Sequence, residues 1–190
     1  MRRSGADAAS TERRLLAQMN ALREASTLFF PLLLGFVCHG LCIKTGFLRG
    51  LARPIDAGAR WRGRRVFGDN KTYRGIVVVA IGTGLGYTAL GLFPFGFGVI
   101  VGAAAMCAEL PNSFLKRQVD VAPGRQTTGL AGAFFHVLDQ IDVTAGAWLV
   151  LALRLTPTPA LVLASLLFVF VAHQAITVAG YALGMRATWR

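Results

Sequence analysis

The chain has 190 residues, of which 54% are hydrophobic, with mean hydropathy +0.54 and net charge +11. A soluble domain of this size is about 45–50% apolar. Here the excess sits in long runs, which leaves no room for a separate soluble domain and excludes a water-soluble globular enzyme. The charge alone would suit nucleic acid, acidic lipid or phosphate substrates, but it follows the loops between apolar runs as membrane topology does. It therefore gives no ground for a nucleic-acid partner.

Residues 1–26 are polar and lack the apolar core of a secretory signal. Ser10, Thr11 and Glu12 precede Leu15, Leu16, Met19 and Leu22 at helical spacing, which predicts a helix lying on the membrane surface. A spanning helix takes about 20 mainly apolar residues. Five runs qualify: Thr27–Leu48, Gly75–Phe93, Phe95–Asn112, Thr128–Leu155 and Thr158–Gly180. The expected fold is all-α and integral to the membrane, about five transmembrane helices in a single bundle over residues 27–190, with two active-site loops on the cytoplasmic side.

In the first span, Cys38, His39 and Cys42 have metal-ligand types, but no fourth ligand stands near them, so helix packing is the favoured reading. The loop that follows holds Lys44, Arg49, Arg53, Arg60, Arg62, Arg64, Arg65, Lys71 and Arg74, and the next loop on that side holds Lys116, Arg117 and Arg125. The connections near Pro94 and Thr156–Thr158 are nearly free of charge. Positive loops face the cytoplasm, which puts the N-terminus outside and the C-terminus inside the cell membrane. Arg2, Arg3, Arg13, Arg14 and Arg23 run against that orientation. In the second and third spans, Gly82/Gly86 and Gly98/Gly102 have the small-xxx-small spacing of closely packed membrane helices. No strand precedes them, so they are not a dinucleotide loop. Pro94, Pro157 and Pro159 make tight hairpins, and Pro111 is expected to close or kink the third helix.

Charges within a span are costly and usually functional. Counting from the uncharged ends places Asp139 and Asp142 roughly 5–9 Å, and Glu109 about 7 Å, inside the hydrocarbon on the cytoplasmic side. Asp139 and Asp142 are three residues apart and share one helix face. Carboxylates so close need a cation between them or a shared proton, and hard oxygen ligands at a partly wet site suit Mg²⁺. The competing reading is a set of structural ion pairs with Lys or Arg. Residues 68–75 open the second helix with natural caps and with Lys71 and Arg74, a combination that offers free N–H groups and charge to a phosphate. Residues 111–117 follow Glu109 and end in Lys116 and Arg117, which either bind phosphate or follow the positive-inside rule. Together these features describe a bowl with carboxylates at its floor and cations around its rim. Such a bowl fits a divalent metal with a nucleoside triphosphate, and a substrate reaching it between helices is lipid.

The segments Gly-Asp-Asn-Lys-Thr-Tyr-Arg-Gly (68–75), Glu-Leu-Pro-Asn-Ser-Phe-Leu-Lys-Arg (109–117), Pro-Gly (123–124) and Leu-Asp-Gln-Ile-Asp (138–142) resemble the CDP-archaeol synthase family. This is a membrane cytidylyltransferase family related to the phosphatidate cytidylyltransferases, and the resemblance spans roughly residues 30–180 in order. It implies Mg²⁺-dependent transfer of CMP from CTP to a membrane lipid phosphate, giving a CDP-lipid and pyrophosphate. By that resemblance Asp139 and Asp142 hold the metal, with Asp69 and Glu109 as further candidates. Lys71, Lys116, Asp139 and Asp142 carry catalysis, while Asp69, Asn70, Thr72, Arg74, Asn112, Ser113 and Arg117 bind substrate. The chain departs from the phosphatidate branch at Ala122-Pro123 and at Gln140, which favours the archaeal type without choosing between ether and diacyl lipid phosphates. No histidine is assigned a catalytic role: His136 is read as structural or interfacial, and His173 and Gln174 as inter-helix hydrogen-bonding groups. The CDP-alcohol phosphotransferase pattern is absent. The remaining alternative is a non-enzymatic small transporter, or a scaffold that binds acidic lipid through loop 44–74.

Overall fold

The computed structural model describes residues 3–122, 129–182 and 184, with side chains from residue 15 onward. Pro123, Gly124 and Arg125, and the side chains of the arginines up to Arg14, lie outside the described residues. Helix α1 runs Arg3–Thr45 and is followed by a 3₁₀ turn, Arg49–Leu51. A two-stranded ribbon, β1 (Arg60–Trp61) and β2 (Arg64–Arg65), precedes α2 (Tyr73–Ala89), α3 (Phe95–Gln118), α4 (Gly129–Leu151) and α5 (Pro159–Ala182).

The helices pack in the spatial order α5, α1, α2, α3, α4, and a thinner α4–α5 seam closes the ring. Successive helices alternate in direction. One end of the bundle therefore gathers the C-termini of α1 and α3, the N-termini of α2 and α4, and the long loop; this is the loop end. Four helices are long and apolar enough to cross a membrane: Leu15–Thr45 within α1, and the whole of α3, α4 and α5. Side chains such as Leu149, Leu163 and Ile100 point outward from them and are exposed, as lipid-facing residues are.

Besides α1, which runs unbroken through Arg3–Thr45 with no break between the expected surface helix and the first span, sequence and structure differ at three places. The second span, expected over Gly75–Phe93, is a 17-residue helix. At 1.5 Å per residue it reaches about 26 Å, short of a ~30 Å hydrocarbon core. It stops at Ala89 because Gly91 turns left-handed (φ 65°), with Leu92 N–H donating to the Tyr87 carbonyl and Gly91 N–H to that of Thr88. That pairing is a Schellman stop, and apolar Leu92 and Phe93 do not override it. Second, α3 does not end at Pro111 but continues to Gln118. Proline costs one helical hydrogen bond, and beyond it Asn112, Ser113 and Arg117 are buried, which holds the last turns in place. Third, the all-α expectation omitted the ribbon. Its Arg62–Gly63 turn has both residues at positive φ (51° and 80°), a mirror-image hairpin turn in which Arg62 replaces the usual Asn or Gly.

Glycine sets the inter-helix distances. A Cβ on Gly82 would lie 2.8 Å from Gly35 Cα of α1, and one on Gly102 would lie 2.8 Å from Ala80 Cα of α2. Both pairs of small residues therefore serve backbone approach between helices. The α1–α2 contact is further fixed by the Tyr87 hydroxyl, which donates to the Leu28 carbonyl at 2.6 Å.

Candidate active site

The α3–α4 crossing builds the centre of the site. A Cβ on Gly146 would lie 2.5 Å from the Ala104 carbonyl and 2.6 Å from Ala108 Cβ, so the two backbones touch there. One turn toward the loop end, Asn112 on α3 faces Asp142 on α4; another turn on, Lys116 faces Asp139. Asn112 Nδ2 donates to Asp139 Oδ1 at 2.7 Å and to Asp142 Oδ2 at 3.2 Å. Lys116 Nζ donates to both oxygens of Asp139, at 2.5 and 2.6 Å. Asp142 Oδ1 accepts from the Val143 N–H at 2.7 Å. Asn112 Oδ1 is buried with no hydrogen-bond partner among the described residues.

The second half of the site is the start of α2. Thr72 is its N-cap, with Oγ1 accepting from the Gly75 N–H at 3.2 Å. Gly75 sits at a three-helix contact, where an added Cβ would meet the His39 ring of α1 and Met106 of α3. One turn toward the loop end, Lys71 forms an ion pair with Glu109 of α3. Both side chains are only 17% exposed, so the charges compensate each other in a largely dry setting.

The remaining candidates divide. Asn70 and Asp69 are exposed beside the α2 start, and Asp69 is paired with Arg65 at 2.6 Å. Ser113 is buried on α3. Arg74 donates to the carbonyls of Cys42 (3.4 Å) and Phe47 (3.3 Å), which ties the α2 start to the end of α1. Arg117 is buried and donates to the Val121 carbonyl, closing the end of α3. The structure thus brings Lys116, Asn112, Asp139 and Asp142 into one cluster and Lys71 and Glu109 into a neighbouring pair. It engages Arg74 and Arg117 with backbone carbonyls.

Outside the cluster, the His136 ring stands edge-on to Phe170 at 6.3 Å. His173 of α5 hydrogen-bonds Gln140 of α4 at 3.1 Å. The motifs of the sequence give no sign of Asp56, whose buried carboxylate organises the loop before α2. Its Asp-x-Gly pattern, with Gly58 N–H donating to Asp56 Oδ1 at 3.1 Å, is the one local signal that marks it.

Fold and site together define an integral membrane protein with a charged site built inside its own helices, the class to which intramembrane enzymes belong. Residues 27–190 match the family model described as CarS-like, CDP-archaeol synthase. A CDP-archaeol synthase of Halorubrum lacusprofundi is 32% identical over 187 residues, covering 85% of this chain and 94% of that one. One of Pyrobaculum aerophilum is 31% identical over 169 residues, covering 84% and 96%. A solved structure of an intramembrane enzyme for archaeal membrane lipids biosynthesis aligns with TM-score 0.61 at 26% identity, over 83% of this chain and 94% of that one. The chain belongs to the CDP-archaeol synthase family.

Proposed function

We propose that the loop-end bowl catalyses transfer of CMP from CTP to the phosphate of a membrane lipid, releasing pyrophosphate and leaving a CDP-activated lipid. The observation that carries this reading is the Asn112–Asp139–Asp142–Lys116 cluster. It sets two carboxylates and an ammonium between the apolar helices α3 and α4, beside a capped helix start that bears Lys71.

An oxygen of the lipid phosphate attacks the α-phosphorus of CTP, and the bond from that phosphorus to the bridging oxygen of the pyrophosphate breaks. A phosphate monoester is largely dianionic near pH 7, so the nucleophile needs no general base. The barrier is lowered by positioning and by neutralising charge. Lys116 and Lys71 supply positive charge to the phosphates. The N–H groups at the Thr72-capped start of α2 receive phosphate oxygens, and Asp69 and Asn70 orient the nucleotide. Asn112 holds Asp139 and Asp142 in register, and Ser113 lies beside it. Arg74 and Arg117 act chiefly by fixing the helix ends that carry these groups.

Mg²⁺ fits the donor set. Asp139, Asp142 and the unpartnered Asn112 Oδ1 are hard oxygens, and Mg²⁺ is usually held by one or two carboxylates together with waters and substrate phosphates. When bound, it supplies charge neutralisation to the triphosphate. Asp69 and Glu109 are each held by a cation, Arg65 and Lys71, as Asp139 is by Lys116; what makes Asp139 and Asp142 the principal pair is that they stand on one helix face and converge on Asn112. The bowl faces the cytoplasm, where the basic loops belong. It reads a phosphate headgroup, which ether and diacyl lipids share.

The test is incorporation of labelled CTP into lipid by the purified protein with Mg²⁺, with archaeal-type and diacyl lipid phosphates offered in parallel. A CDP-lipid formed from one of them assigns the lipid. No product from either, in protein with intact helical content, contradicts the reading.

A further inference from the structure

Asp56 lies in the loop between α1 and α2, and its side chain is 1% exposed. A carboxylate in that setting must be satisfied by hydrogen bonds, and this one is. Oδ1 accepts from Gly58 N–H at 3.1 Å and from Arg65 Nη2 at 2.8 Å. Oδ2 accepts from Phe67 N–H at 2.9 Å and from Gly68 N–H at 3.1 Å. Burial alone would raise this carboxyl, but the bonds from Arg65 and the backbone hold it well below the usual carboxylate range.

Two things follow from where these partners lie. Phe67 and Gly68 immediately precede Asp69, Asn70 and Lys71. On the other flank, the chain beside Asp56 pairs with the end of the same motif: Ile55 N–H donates to the Lys71 carbonyl at 2.9 Å, and Tyr73 N–H to the Arg53 carbonyl at 3.2 Å. The segment 68–73 is therefore clamped at both ends by residues 53–56. Arg65 carries the clamp onward by holding Asp69 with its second nitrogen, at 2.6 Å. Among the described residues, every hydrogen bond to the Asp56 carboxylate comes from the loop itself and none from a helix.

We propose that Asp56 is a positioning residue for the nucleotide, fixing the backbone of residues 67–71 so that Lys71 and the start of α2 meet the triphosphate of CTP in one geometry. This rests on the reading of residues 68–75 as the triphosphate contact. Asp56 touches no substrate; it acts through the loop it pins.

Asp56→Asn tests it. An amide offers one acceptor oxygen where the carboxylate used two, and its NH₂ opposes the N–H donors. KM for CTP should rise by about tenfold or more, with KM for the lipid phosphate and kcat at saturating CTP within about twofold. Direct titration of CTP binding, without lipid, should show the same loss. Asp120→Asn, which breaks the exposed Arg64–Asp120 pair in the same loop region (2.5 Å), should leave both constants unchanged. The proposal is overturned by an unchanged KM for CTP, by equal losses towards both substrates, or by Asp120→Asn matching Asp56→Asn. If Asp56→Asn does not fold, Arg65→Lys decides by the same criteria, because it keeps the charge and loses the fork between Asp56 and Asp69. Wild-type protein separates the two readings. Wild type that makes no CDP-lipid refutes the function; active wild type with an unaltered Asp56→Asn refutes only the clamp.

Discussion

Lys116 Nζ lies 2.5 Å from one oxygen and 2.6 Å from the other oxygen of Asp139, joining the last turns of α3 to the first half of α4. The ammonium is thereby held at the site rather than left to wander in the interface. Lys116→Met should lower kcat by about 10²–10³-fold, the scale on which a preorganised charge donor acts. Thermal stability should change little, because the Asp139 side chain is 39% exposed and can rehydrate. Steady-state kinetics and a melting curve on one preparation check both; an unchanged kcat would remove Lys116 from the catalytic set.

Lys71 and Glu109 form an ion pair with both side chains mostly buried. Glu109→Gln leaves Lys71 charged but less firmly directed, so KM for CTP should rise about tenfold with a smaller change in kcat. Lys71→Met removes the charge itself and should be the more damaging change. The reverse order would make Glu109 the functional partner and Lys71 its counter-ion.

Gly146 is the point where α3 and α4 touch. In Gly146→Ala the new methyl meets the Ala104 carbonyl and Ala108 Cβ, neither of which is the far end of a flexible side chain. The helices must part, at about 1–3 kcal/mol for overpacking, and Asn112 must draw away from Asp142. Both melting temperature and kcat should fall. A fully active, equally stable variant would show that the crossing does not set the site.

Much of this site was legible in the sequence because its parts are chemically loud. Asp139 and Asp142 inside an apolar run, and Asn112 and Lys116 four residues apart, stand out against Leu, Val and Ala. The pairing of Lys71 with Glu109 was not legible, since the residues lie on different helices and only the packing of α2 on α3 joins them. The family resemblance makes Arg74 and Arg117 substrate contacts, and the structure gives each a carbonyl acceptor at a helix end. The end of α2 was misplaced because hydropathy counts Leu92 and Phe93, whereas the backbone obeys Gly91. Asp56 stayed hidden because a loop has no periodicity to interrupt.

The pH dependence of the loop follows from Asp56. Its folded pKa is depressed, so its contribution to stability is full above the ordinary carboxylate value of ~3.9 and is lost as pH falls through the lower folded value. The loop should therefore keep its fold from neutral pH down to about pH 4, measured as constant Trp61 fluorescence against a Trp61→Phe background. Loss of that signal between about pH 6 and 5 would contradict an ionised, saturated Asp56.

The most direct measurement is transfer of label from CTP into lipid phosphate by wild type, Asp139→Asn and Asp142→Asn, each with Mg²⁺ and with a chelator. Wild type should yield a CDP-lipid and pyrophosphate only with Mg²⁺. Each variant should lose at least about 10²-fold in rate while keeping its helical content. Wild type inactive on every lipid phosphate offered, or either variant turning over at the wild-type rate, would contradict the account.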